Sequence, residues 1–177
     1  MLLMLAVALL VAIPVTVLVR GGDDDRPPEA EVAPALNPAV KDKQLDVGYQ
    51  VPEGWTQSKE ASAIKLRSRD RSTLIAIASP APASKANQVL DDALASVRSS
   101  YRKVDVRPGS GRQVGGLDAK GAVVAAQTPD GDALRILIAV AEGKRRAYLV
   151  ELFTAANLDP ERLREAQVAL NSLRLEG

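Results

Sequence analysis

Between Ala119 and Phe153 the chain carries three strand-like runs in close succession: Ala119 to Gln127, Ala133 to Val140 and Arg146 to Phe153. The first pair is joined by the sequence TPDGD and the second by AEGK. Both joins have the Pro, Asp and Gly chemistry of hairpin turns. Consecutive hairpins require an antiparallel meander, and the rest of the chain must be fitted to that sheet.

Three earlier runs also read as strands. Leu45, Val47, Tyr49 and Val51 alternate with Asp46, Gly48 and Gln50, the period-two pattern of a half-buried strand. Ile64 and Leu66 alternate with Lys65, Arg67 and Arg69 in the same way. The run from Thr73 to Ser79 is apolar on both faces and is expected to be central in its sheet.

Two helices complete the pattern. Ser84, after the breaks at Pro80 and Pro82, is placed to cap a helix whose stripe is Leu90, Leu94, Val97 and Tyr101. Near the end of the chain Asp159 caps, Pro160 occupies the first turn and Glu161 complements the helix dipole. Leu163, Ala166, Leu170 and Leu173 then recur at helical spacing. The glycine-punctuated segment RPGSGRQVGG, residues 107 to 116, reads as a mobile loop before the meander and a place for a partner-binding element. It lacks the spacing of a phosphate loop. Strands, helix, meander and helix in that order predict an α+β fold, an antiparallel sheet packed by helices.

Ahead of this domain lie two other kinds of sequence. Residues 1–20 contain no charge before Arg20, and nineteen residues at about 1.5 Å each match a bilayer's ~30 Å hydrocarbon core, so a transmembrane anchor is expected there. Residues 21–44 carry four prolines and the acidic run Asp23-Asp24-Asp25, which predicts a flexible tether rather than a calcium loop. The folded domain is expected over 45–177. Arg20 and Arg26 follow the span and no basic side chain precedes it, which taken alone places the domain in the cytoplasm. Single N-terminal anchors commonly carry their domain outward, and an extracytoplasmic, single-pass arrangement is the expectation adopted.

The entry into the sheet, LDVGYQVPEGW, the meander ending AYLVELFT and the closing ALNSLRL resemble the Mog1/PsbP-like superfamily, in particular its bacterial membrane-anchored or secreted members. The resemblance covers essentially the whole soluble domain. It implies an antiparallel sheet between helical layers and an accessory or binding role without catalysis. No motif carries over a specific partner.

Composition narrows the chemistry further. The chain has no Cys and no His, so Cys/His zinc sites, disulfides, Ser-His-Asp and Cys-His pairs and a lipid-bearing cysteine are all excluded. No pattern assigns a catalytic, cofactor-binding or metal-ligating residue. Asp91 and Asp92 are adjacent on a helix and diverge by about 100°, so they cannot act as a facing pair. Asp130 and Asp132 belong to a turn. Glu151 shares a strand face with Leu149 and Phe153 and is expected either to be solvated or to pair with an arginine such as Arg135.

Two features remain as candidate contacts. Lys65, Arg67, Arg69 and Arg71 form a basic run that could meet an anionic surface such as lipid headgroups, against the simpler reading of a solvated strand face. Over 45–177 there are 19 Lys and Arg against 16 Asp and Glu, a balance that does not point to nucleic acid. Trp55, the single tryptophan, is either a plug over the sheet edge or a partner platform. The expected function is a non-catalytic, membrane-tethered accessory domain engaging an unidentified protein. A lipid- or small-molecule-binding module with a cavity between sheet and helix, and a hydrolase or transferase working without His or Cys, stand as alternatives.

Overall fold

A computed structural model of the chain describes residues 33–60, 62–109 and 112–176. The anchor expected over 1–20 and the tether as far as residue 32 lie outside the described residues. Among the described residues no helix is long and apolar enough to cross a membrane.

The elements are β1 (Val40–Asp42), β2 (Val47–Tyr49), β3 (Thr56–Glu60), β4 (Ala63–Arg67), β5 (Thr73–Pro82), α1 (Ala86–Ser100), β6 (Arg102–Pro108), β7 (Arg112–Val114), β8 (Leu117–Gln127), β9 (Ala133–Glu142), β10 (Arg146–Ala155), α2 (Pro160–Ser172) and β11 (Arg174–Leu175). The large sheet runs β3-β4-β5-β10-β9-β8-β6, with β7 paired to β8. A small sheet, β1-β2-β11, is separate from it. Every pairing is antiparallel. The architecture is the α+β arrangement expected from the order of elements.

The meander β8-β9-β10 forms because strongly β-prone residues are cut by two tight turns. At the first, Gly131 sits at φ 99° and its N–H donates to the Thr128 carbonyl at 2.9 Å. Only a residue without a Cβ adopts that conformation cheaply. Asp130 and Asp132 are part of this turn, as their spacing suggested. β5 is flanked by β4 and β10 and is central, as its two-sided apolar run required.

Alternation then sends each strand's side chains to two cores. On one face Val124, Ile136 and Ile138 pack against Ala93 and Val97 of α1, with Leu90, Leu94 and Tyr101 at the margin. On the other face Ile64, Leu66, Ile75, Ile77, Val150 and Leu152 pack beneath α2 and the small sheet. Leu66 and Ile77 are wholly buried. Each such side chain is worth roughly 1.5 to 3 kcal/mol of transfer free energy.

Three expectations require correction. Helix α1 is preceded by a 3-10 turn over Ala83–Lys85, so Lys85 rather than Ser84 occupies the cap and makes no side-chain capping bond. The run LDVGYQV does bury Leu45, Val47, Tyr49 and Val51, but its strand belongs to the small sheet. Segment 107–116 is partly strand, because β6 reaches Pro108 and β7 runs from Arg112 to Val114.

The folded unit also begins before residue 45. Leu36 bridges Pro52, the Asn37 amide donates to the Val51 carbonyl at 2.9 Å, and β1 pairs with β2. The Pro- and Lys-rich composition of this stretch concealed a strand of only three residues.

Candidate functional site

Strands β8, β9 and β10 present small and aliphatic side chains toward α2. Gly121 and Val123, Leu137 and Ala139, and Val150 form a floor. The C-terminal half of α2 stands over it with Gln167, Leu170 and Asn171, and Leu173 follows where the helix ends. Gly109, Val114, Gly115 and Gly116 close one side. Together they enclose a pocket of about 500 Å³, within the 300–1,000 Å³ typical of small-molecule sites.

Glycine shapes this pocket. On Gly121 a Cβ would lie 2.2 Å from the Ile138 carbonyl oxygen, and that same residue's own carbonyl accepts the Gly109 amide at 2.8 Å. The backbones of β8, β9 and the end of β6 therefore approach more closely than any side chain allows. Gly115 and Gly116, at φ 61° and 89°, make the tight β7-β8 turn, and the Gly115 carbonyl accepts the Leu175 amide at 3.0 Å.

The charge around the pocket is sparse. Lys120 lines it by position, but its ammonium donates to Asn87 of α1 at 3.0 Å and so lies on the far face of the sheet. Among the described side chains Arg174 is the cation at the pocket. Its Nη1 donates to the carbonyls of Asn171 at 2.9 Å and Leu173 at 2.6 Å, where the exposed carbonyls at a helix end favour positive charge. Among the described residues the lining contains no carboxylate and no hydroxyl. Its described side chains can bind and exclude water, but none of them offers an acid, base or nucleophile.

Trp55 lies at the other end of α2. It is only 7% exposed and belongs to the core beneath that helix. Its indole Nε1 donates to Glu165 Oε2 at 2.8 Å. Glu165 Oε1 accepts from Arg162, and Arg162 Nε lies 3.3 Å from Asp70 Oδ2 in the turn after β4. Sequence reading missed Glu165. The signal available was a lone tryptophan, whose buried N–H must find an acceptor, and a glutamate next to Ala166 on the helix's apolar side.

Asp70 is the pivot of that turn. Its Oδ1 accepts from the Ser68 hydroxyl at 2.7 Å, the Ser72 amide at 3.1 Å and the Ser72 hydroxyl at 2.8 Å. The Ser68 hydrogen bond, then that of the Ser72 amide, holds its carboxyl down to about 2. A carboxyl depressed on folding stabilises the fold fully above its ordinary value of 3.8, and that contribution is lost as pH falls through 2. Asp70→Asn is therefore expected to lower stability at pH 7 by roughly 1 kcal/mol, the scale of one lost hydrogen bond. Denaturant titrations from pH 7 to pH 2 should show the difference from wild type shrinking at the acid end.

The four basic residues do not form one stripe. Lys65 pairs with Glu60 at 2.6 Å, and β4 ends at Arg67. Arg69 and Arg71 are exposed in the turn on either side of Asp70, with Arg71 at φ 63°. Asp91 and Asp92 are exposed on α1 and converge on nothing.

Glu151 does not meet Arg135. It stands opposite Ala76 and Ile138, whereas Arg135 stands opposite Thr154, three positions along β9 from Ile138 and so on the other face. Glu151 is half-buried without a hydrogen-bonding partner among the described residues, and burial raises its carboxyl above the usual range. A carboxyl raised on folding costs nothing below its ordinary 4.5 and destabilises progressively as pH climbs through the folded value. Glu151→Gln should stabilise the protein at pH 7 and leave it nearly unchanged at pH 4, read from denaturation midpoints.

The antiparallel sheet with its two helices is a PsbP-like fold. Cyanobacterial PsbP (CyanoP) from Synechocystis sp. PCC 6803 superposes with a TM-score of 0.51 at 12% identity, over 88% of this chain and 98% of that one. A structure from Bacteroides thetaiotaomicron VPI-5482 gives 0.51 at 13% identity over 74% of this chain. The chain spans only 45% of that structure's length. LpqN of Mycobacterium tuberculosis, described as involved in cell envelope biogenesis, gives 0.48 at 16% identity over 79% of this chain and 90% of its own. No protein-family model and no curated protein matches the chain by sequence.

Proposed function

We propose that this chain is a non-catalytic accessory domain, tethered to a membrane by residues 1–20 and facing away from the cytoplasm, that works by binding a ligand in the pocket beneath α2. The observation that carries the reading is the lining of the pocket. An aliphatic floor and roof with a few amide groups and one guanidinium favour capture of an apolar body. They supply nothing to a hydrolase or transferase mechanism. A concave site of about 500 Å³ also suits a small molecule better than the flat face of another protein.

Gentle release of the full chain from membranes followed by native mass spectrometry is expected to show a retained small mass. A bare polypeptide mass under every mild condition overturns the reading. The placement is tested separately by a reporter active only outside the cytoplasm, fused after Gly177, which is expected to be active. Activity of a cytoplasmic reporter alone reverses the orientation.

A further inference from the structure

We propose that the pocket beneath α2 takes a single-chain anionic amphiphile, with its hydrocarbon tail on the sheet and its acid group at Arg174. The inference rests on the pocket being the binding site and adds the chemical class of what enters it.

Size limits the tail. The floor is three strands wide, about 10 to 15 Å at the usual spacing, and the helical roof from Gln167 to Ser172 extends about 8 Å. If a methylene occupies about the ~30 Å³ of a liquid water, the pocket's volume of about 500 Å³ holds on the order of fifteen such groups. One acyl chain of ordinary length fits, and two do not.

Charge selects the head. With Lys120 turned to the opposite face and no carboxylate in the lining, Arg174 is the only formal charge at this pocket among the described side chains. Its Nη1 is engaged by two backbone carbonyls, which fixes the guanidinium over the end of α2. Nη2 and Nε have no carboxylate partner among the described residues, and a guanidinium fork matches a planar acid group. A cationic head would meet repulsion there and a neutral one would gain only ordinary hydrogen bonds.

The test uses the full chain in phosphatidylcholine nanodiscs with two photo-reactive probes, a twelve-carbon fatty acid and the alcohol of equal length, each with a diazirine at the tail. Cross-linked peptides are mapped by mass spectrometry. The acid is expected to label the peptides containing Leu137 and Leu170 about tenfold more than the alcohol, the effect of one charge-assisted hydrogen bond. Arg174→Gln should reduce acid labelling to the level of the alcohol, and Arg174→Lys should retain most of it. Equal labelling of the pocket by both probes, unaffected by Arg174→Gln, overturns the anionic head while leaving the pocket as the binding site. Labelling confined to residues 1–20, with none in the pocket, overturns both.

Discussion

Replacing Trp55 by alanine is expected to destabilise the domain by about 3 to 5 kcal/mol, the range for emptying a large aromatic site. Two losses combine. The indole's packing against the core beneath α2 disappears, and Glu165, itself only 8% exposed, loses the Nε1–H that one of its oxygens accepts. A buried carboxylate oxygen left without a donor carries its own penalty of about 1 to 3 kcal/mol. Trp55→Phe separates the two, because it keeps most of the apolar area and removes only the donor. Since the chain holds one tryptophan, its fluorescence reports this site directly. Native emission should be blue-shifted and should move red on unfolding. An exposed-type spectrum together with an alanine variant of full stability contradicts the account and returns Trp55 to the position of a partner platform.

Gly121→Ala is expected to cost about 3 kcal/mol or more through forced overpacking. The added methyl would sit 2.2 Å from the Ile138 oxygen, a backbone atom that no rotamer change can move. Relief requires β8 and β9 to part, which also pulls on the Gly109 amide bound to the Gly121 carbonyl. The floor of the pocket should distort, so ligand retention should fall along with stability. Gly116→Ala is the control. Its Cβ meets open space and only the positive φ of 89° is penalised, at about 1 kcal/mol. Equal denaturation midpoints for the two variants contradict this view of Gly121.

The parts of the fold legible in the sequence were those with strong local signals. Asp159 and Pro160 announce α2, and in the structure the Asp159 carboxylate accepts the Glu161 amide at 2.8 Å. Two short turns announce the meander. β3 gave no such signal, because all five of its residues are exposed at the sheet's edge and none is apolar. β1 and β11 are too short for periodicity to register, and they exist because each finds β2. The pocket was legible only in outline, as a space between sheet and helix. Its lining comes from six elements and the turns beside them, scattered from residue 109 to residue 174, and only the glycine-rich stretch hinted at where the backbones converge. Likewise the bond from Trp55 to Glu165 joins positions 110 residues apart. Glu151 was placed on the correct face, but its pairing with Arg135 failed on strand parity, which requires the register as well as the pattern.

The small sheet ties the two ends of the described chain together. β11 pairs with β2, the Glu176 amide donates to the Asp46 carbonyl at 3.2 Å, and Lys41 pairs with Glu176. This clasp joins partners more than 120 residues apart, the kind of long-range closure that slows folding. During synthesis the layer over one core has no finished edge until residue 175 emerges, so β2 waits unlatched while every element between it and β11 is made. Pairing of β11 with β2 is the step that closes that layer.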